Sequence, residues 1–224
     1  MSDLEKFDLP APTDVDPTDR LALYERAVQD PATELTLLEG ALRRAKRPAR
    51  RLREDFSGTA LLSASWVASE PERSAVAVDH EPAVLDWARK HRLPGLGSAA
   101  RRLRLTLADV RHGPRGPFDA ILALNFSYQA FLTRATLGDY FRSVLRSLAP
   151  GGVFMLDTFG GWYAQEGLTD RREIGGGLTY VWEQGRPDPI TQHLHCTIHF
   201  ERGRGRVLPG AFHYDWRLWS LPER

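Results

Sequence analysis

Between residues 51 and 158, strand-length segments alternate with segments of helical period, and few folds accommodate that alternation. The strand segments fall near 51–56, at 75–79 (AVAVD), at 103–108, at 118–124 (FDAILAL) and at 153–158 (VFMLDT). Helical segments near 59–69, 82–91 and 134–148 are interspersed with them. A helical crossover returns the chain so that the next strand runs parallel to the last, and such a sheet needs cover on both faces. The strongest helical stripe carries Leu137, Tyr140, Phe141, Val144, Leu145 and Leu148, and Pro150-Gly151-Gly152 stops it. The expectation is an α/β fold on a doubly wound, mainly parallel sheet.

Two helices precede that sheet. Asp16-Pro17 and Asp30-Pro31 each pair an N-cap side chain with a proline whose fixed φ suits a first helical turn. Leu35, Leu38 and Leu42 give the second helix a buried face. Residues 1–18, acidic and carrying Pro10, Pro12 and Pro17, read as a flexible leader without the basic start or apolar stretch of a signal peptide. Beyond Gly160-Gly161 the period becomes two. Leu194, Cys196, Ile198 and Phe200 alternate with His193, His195 and His199, and Phe212, Tyr214, Trp216 and Leu218 alternate with His213, Asp215 and Arg217. With 178–184 (LTYVWEQ) these segments predict a three-stranded antiparallel unit. The domains expected are the leader at 1–18, a sheet domain over 19–160 that includes the N-terminal helices, and a lid-like antiparallel subdomain over 161–224.

Charge and cysteine content narrow the partners. Lys plus Arg number 30 against 29 Asp plus Glu, a formal charge of +1, so no global field recruits nucleic acid or an anionic membrane. The basic residues crowded into 43–53, from Arg43 to Arg53, read first as cations complementing a helix C-terminus, and nucleic-acid binding is disfavoured. A lone cysteine, Cys196, precludes an internal disulfide and fits a reducing, cytoplasmic setting. The apolar segment 120–126 (AILALNF) falls far short of a membrane span. His193, His195 and His199 share one face of a strand, which an alternating polar side explains without a metal.

A doubly wound sheet binds ligands at the carboxyl ends of its strands, beside the point where strand order reverses. The first strand ends in LREDFSGTA (52–60), where Gly58 lets the backbone approach a ligand closely. Asp79 ends the second strand about 20 residues later, the spacing at which such folds hold a ribose hydroxyl. An aspartate there also suits the cap of a helix starting near Pro82, and the two roles are compatible. The third strand ends in LADV (107–110) and the fourth in LNFSY (124–128).

The first of these loops resembles the acid-x-G-x-G-x-G motif of class I S-adenosylmethionine-dependent methyltransferases. Glu54 stands in the place of the acid, Gly58 in that of the central glycine, and Phe56 and Ala60 replace the outer two. The pieces YExxVQDP (24–31), REDFSGT (53–59), NFSY (125–128) and YDWRLWSLPE (214–223) are similar to a group within that family. The resemblance implies S-adenosylmethionine as cofactor, with Asp79 on the ribose, Asp109 accepting from the adenine amino group and a backbone N–H at Val110 reading the ring. The cofactor-binding set it implies is Tyr24, Glu54, Asp55, Phe56, Gly58, Asp79, His80, Asp109, Val110 and Asn125.

The reaction so implied is an in-line displacement on the sulfonium methyl group, for which the protein chiefly supplies alignment and exclusion of water. No catalytic residue follows from this; Tyr24, Asn125, Tyr128 and residues of the antiparallel unit stand at the expected mouth. NFSY lacks both prolines of the NPPY motif found in methyltransferases of base and glutamine amines, which counts against that substrate class; the acceptor expected is a small molecule. The alternatives are a degenerate S-adenosylmethionine-binding protein and an RNA or protein methyltransferase. A nicotinamide-dependent dehydrogenase would carry G-x-G-x-x-G, and only Gly58 is present. The family's usual helix and two terminal strands would follow Leu221-Pro222-Glu223, so the expected order is 3-2-1-4-5, with the fifth strand an edge and the antiparallel unit a lid.

Overall fold

The computed structural model describes residues 5–203 and 205–223. It holds two compact units. The first takes in the described residues up to Val15, with Val28–Asn125 and Gly138–Leu156; the second takes in Asp16–Ala27, Phe126–Leu137 and the described residues from Asp157 onward. This differs from the expected boundary at 160, because the first N-terminal helix and the segment after the fourth strand both belong with the antiparallel sheet.

The first unit is a five-stranded parallel sheet of β1 (Arg51–Asp55), β2 (Ser74–Asp79), β3 (Leu103–Leu107), β4 (Phe118–Ala123) and β5 (Leu148–Leu156), in the order β3-β2-β1-β4-β5. This is the doubly wound α/β arrangement expected, and the order reverses between β1 and β4. All six residues of β4 are buried, as a central parallel strand covered on both faces requires. Leu52, Ala77, Ala120 and Leu122 meet Leu35, Leu38 and Leu42 of α2 (Pro31–Arg44) and Trp66 of α3 (Leu61–Ser69) in one core. Asp30 caps α2 as expected, accepting from the Thr33 N–H at 3.1 Å. Pairing of β4 with β5 is irregular between Phe118 and Ala120. There a Cβ on Gly152 would stand 2.9 Å from the Ala149 carbonyl oxygen and 3.0 Å from that of Phe118, so the bulge requires glycine.

Several expectations are corrected. The leader is not free throughout: residues 5–7 form a 3₁₀ turn, Phe7 is fully buried in the α2/α3 core, and Lys6 pairs with Glu39 at 2.7 Å. Residues 1–4 lie outside the described residues. The helix expected at 82–91 is α-helical only over α4 (Pro82–Trp87), then widens into a π turn and 3₁₀ turns to Arg102, where Pro94, Gly95 and Gly97 interrupt the regular ladder. In α5 (Arg134–Ser147), Leu137, Tyr140 and Val144 are buried but Leu145 of the same stripe faces out, 74% exposed.

The second unit is a four-stranded antiparallel sheet, β6 (Leu168–Glu173), β7 (Leu178–Gln184), β8 (His193–Arg202) and β9 (Gly205–Arg217), in sequence order. The sequence predicts three of these strands. β6, LTDRRE, has five exposed residues of six and no apolar face to announce it. The alternation in β8 buries Leu194, Cys196, Ile198 and Phe200 as expected; His199 is buried as well, beside the register shift at 198–200. Helix α1 (Arg20–Val28) starts from Asp19, whose carboxylate accepts from the N–H groups of Leu21 and Ala22, and Asp16 instead closes a turn onto Thr18. A cluster of Ala164, Leu194, Cys196, Trp216 and Leu218, with Phe126, Phe159, Trp182 and Tyr214 packed against it, forms this unit's core. No described helix is long and apolar enough to cross a membrane.

Candidate functional site

Three adjacent strand tips of the first unit are tied together through Asp79. Its Oδ2 accepts from the Gly58 N–H at 2.8 Å, which joins the loop after β1 to the end of β2. Its Oδ1 accepts from the Glu81 N–H at 2.9 Å, an Asx turn that leads into α4, and its backbone carbonyl accepts from Ala108 at the end of β3 at 2.9 Å. The capping role considered for Asp79 thus takes this form, two residues before the N-cap position, which Glu81 occupies. Each carboxylate oxygen keeps a second lone pair for a further donor. His80 follows on the surface, its ring nitrogen 3.8 Å from Asp79 and its side chain 78% exposed.

The loop 56–60 keeps a glycine-like backbone although only one glycine remains. Phe56, Gly58 and Ala60 all have positive φ, at 56°, 52° and 57°. At Gly58 a Cβ would meet nothing within 4 Å, so the backbone there fronts open space. At Phe56 and Ala60 the left-handed conformation is held against the preference of an L side chain, by about 1 kcal/mol each. Ala60→Gly is expected to leave stability nearly unchanged, since relief of that strain is offset by the roughly 0.5–1 kcal/mol entropic cost of glycine. Ala60→Val, β-branched in a fully buried left-handed position, should cost about 2 kcal/mol or more. Urea unfolding of the two variants checks the pair; equal losses would mean that backbone conformation is not what residue 60 determines.

The two acids of the first loop serve different ends. Glu54 is buried, and its Oε2 accepts from both the N–H, at 2.9 Å, and the hydroxyl of Ser63 in α3. Burial pushes its carboxyl up to about 7 against those bonds, and the negative charges of Asp79 and Asp55 add to the effect. Asp55 is engaged elsewhere: Arg53 Nε donates to its Oδ1 at 2.7 Å and the Tyr140 hydroxyl to its Oδ2 at 2.9 Å, with both charged side chains fully buried. Burial raises Asp55 to about 6, opposed by Arg53 and Tyr140. Its carboxylate is thus engaged by Arg53 and Tyr140 on the buried side of β1.

Arg53 is the residue the sequence reading overlooked, having been grouped with the surface cations. Its remaining donors reach the Val110 carbonyl at 2.6 Å, the Pro114 carbonyl at 3.2 Å and Ser147 Oγ at 3.4 Å. The turn after β3 is thus hung from β1. The signal was present: Arg53 and Asp55 sit two apart on one buried strand and so share a face. Elsewhere in the basic stretch Arg47 pairs with Asp119 and Arg50 with Glu72, while Arg43, Arg44, Lys46 and Arg51 are exposed.

Asp109 and Val110 open the 3₁₀ turn that follows β3. The Asp109 carboxylate accepts from the Arg111 N–H at 2.8 Å and from its guanidinium, and that side-chain bond holds Asp109 below the usual carboxylate range. Asn125 closes the Val28–Asn125 segment of the first unit and Phe126 belongs to the second, both left-handed at φ 56° and 57°; asparagine tolerates this conformation, whereas phenylalanine is strained in it. Tyr24 belongs to the second unit, its ring 4.9 Å from that of Phe212, while the other nine residues of the expected set lie in the first. Tyr128 is buried in the second unit. His195 pairs with Asp215 and His199 with Glu183, and among the described residues no group of three or more His, Cys, Asp or Glu is placed to hold a metal.

No family model and no curated protein sequence matches this chain. In fold it is similar to an S-adenosylmethionine-dependent methyltransferase from Clostridium acetobutylicum, with TM-score 0.69 and 19% identity over 90% of this chain and 81% of that one. It is also similar to an S-adenosylmethionine-bound amino pentose methyltransferase of calicheamicin biosynthesis from Micromonospora echinaspora (TM-score 0.68, 21% identity, 90% and 83% covered). A third likeness is to a sugar N-methyltransferase from a Streptoalloteichus species (TM-score 0.65, 22% identity, 96% and 85% covered). At these identities the likeness is one of fold: a Rossmann-like α/β sheet of order 3-2-1-4-5 with an additional four-stranded antiparallel sheet.

Proposed function

We propose that this chain is an S-adenosylmethionine-dependent methyltransferase whose acceptor is a small molecule. The observation that carries the proposal is Asp79, which joins the ends of β1, β2 and β3 beside the switch point while its carboxylate oxygens keep capacity for two ribose hydroxyls. The residues present fit such a cofactor. Gly58 lets the backbone come close, Asp79 supplies paired acceptors, and Asp109 with Val110 supplies an acceptor and a backbone donor side by side, the edge pattern of an adenine. When bound, S-adenosylmethionine supplies a methyl group already activated on a sulfonium.

The chain's own residues then have limited tasks. Asp79 orients the ribose, Asp109 and Val110 fix the base, and the loop at 56–60 borders the open space before Gly58. Arg53 is a positioning residue, since it holds the Val110 and Pro114 carbonyls and thereby the turn that presents Asp109. A neutral amine acceptor needs no general base before attack, and no side chain is assigned that role. The near-zero net charge and the likeness in fold to methyltransferases of sugars support a small acceptor over a nucleic acid.

Calorimetric titration with S-adenosylmethionine tests the binding step, and product formation on a metabolite pool tests the transfer. Asp79→Ala is expected to weaken cofactor binding by about 1–3 kcal/mol, the usual loss on removing charge-assisted hydrogen bonds. Asp79→Asn, which keeps one acceptor for the loop, should fall between that variant and the natural chain. If the natural chain binds the cofactor and Asp79→Ala binds it equally well, the assignment of the ribose site is wrong.

A further inference from the structure

The first unit carries a concave site whose lining includes neither Asp79 nor Gly58. Arg111, His112 and Arg115, from the turn after β3, meet Ser143, Arg146 and Ser147 of α5 around a pocket of ≈ 200 Å³. Ser143 and Ser147 are buried, while Arg115 and Arg146 are exposed. Arg111 is paired with Asp109, but among the described residues neither Arg115 nor Arg146 has a carboxylate within salt-bridge distance.

The ordinary explanation accounts for one of these charges. The C-terminus of α5 presents about half a negative charge, which Arg146 in its last turn complements. A second unpaired guanidinium in the same recess leaves excess positive charge there, which an anion would offset. The groups around the recess are rich in donors: planar guanidinium forks matched to tetrahedral oxyanions, with two serines in the same lining. We propose that this pocket binds the phosphate group of a small phosphate ester. Arg111 links it to the strand tips. Its Nε lies 3.0 Å from Asp109 Oδ1, so a phosphate that engages Arg111 draws it from Asp109 and frees that carboxylate for the adenine. This second step rests on the cofactor reading above; the first does not.

Inorganic phosphate titrated calorimetrically into the full chain, with ionic strength held constant by sodium chloride, is the probe. Saturable binding is expected, weakened about tenfold or more in Arg115→Ala/Arg146→Ala. Arg142→Ala, which removes an exposed arginine of the same helix paired with Asp139, should bind as the natural chain does. Absence of saturable binding, or equal affinity in the natural chain and the double variant, overturns the pocket; circular dichroism of the variants confirms their fold. With phosphate saturating, S-adenosylmethionine affinity should rise about fivefold or more. A chain that binds both ligands independently overturns the Arg111 exchange. One that binds phosphate but not S-adenosylmethionine overturns the cofactor reading and leaves the pocket standing.

Discussion

Arg53→Met is expected to lower the stability of the chain by about 3–5 kcal/mol, the usual cost of breaking a buried ion pair by removing one partner. The guanidinium is fully buried and donates to Asp55, Val110, Pro114 and Ser147. Without it, Asp55 keeps only the Tyr140 hydroxyl among these partners, and its carboxyl, already raised to about 6 by burial, must take up a proton or stay charged in an apolar surround. The carbonyls of Val110 and Pro114 lose their donor at the same time. Gly113 shows how closely the guanidinium fits, since a Cβ there would stand 3.0 Å from it. Urea unfolding at neutral pH measures the loss, and Arg53→Met/Asp55→Leu should recover part of it because no charge is then left buried. A single-variant loss under about 1 kcal/mol would mean that water reaches Asp55 and that the network is not the anchor inferred from its burial.

The features legible in the sequence were those that repeat. β2, β4 and the helical stripe of α5 announce themselves because a buried parallel strand and an amphipathic helix impose a period on many residues at once. The place of Asp79 at the tip of β2, against Gly58, was legible because its spacing from that glycine fits the next strand's end. Features resting on one or two residues were not. Phe7 is a single aromatic among prolines and acids, with no neighbour to repeat its pattern, yet it fills the α2/α3 core. β6 is held by backbone pairing with β7 and exposes nearly all its side chains, so no alternation marks it. Asp16 precedes a proline and looks like a cap, but capping depends on which side chain reaches the N–H groups of the first turn, and that is Asp19. Phe56 and Ala60 read as lost glycines, whereas the turn keeps its left-handed geometry at both positions.

Adjacent acids such as Glu54 and Asp55 cannot be told apart by type; strand alternation sends them to opposite faces, and the partners met there decide what each does. Asp55 meets Arg53 and remains a carboxylate at neutral pH. Glu54 meets Ser63, which donates hydrogen bonds but brings no charge, so burial raises it to about 7. Its ordinary value is 4.5, and the raised value means that the folded chain holds a proton the unfolded chain has released. The stabilising contribution is therefore full below about pH 4.5 and is lost as pH rises through about 7, amounting to roughly 3 kcal/mol across that window for a fully buried group. Glu54→Gln has no proton to lose and keeps a carbonyl oxygen for Ser63. Relative to the natural chain it should gain stability steadily from pH 5 to pH 8, and the difference should flatten above that. Urea unfolding at several pH values gives the difference directly. A constant offset between the two curves would place the Glu54 pKa at its unfolded value, and Glu54 would then be hydrated in solution and not buried against Ser63.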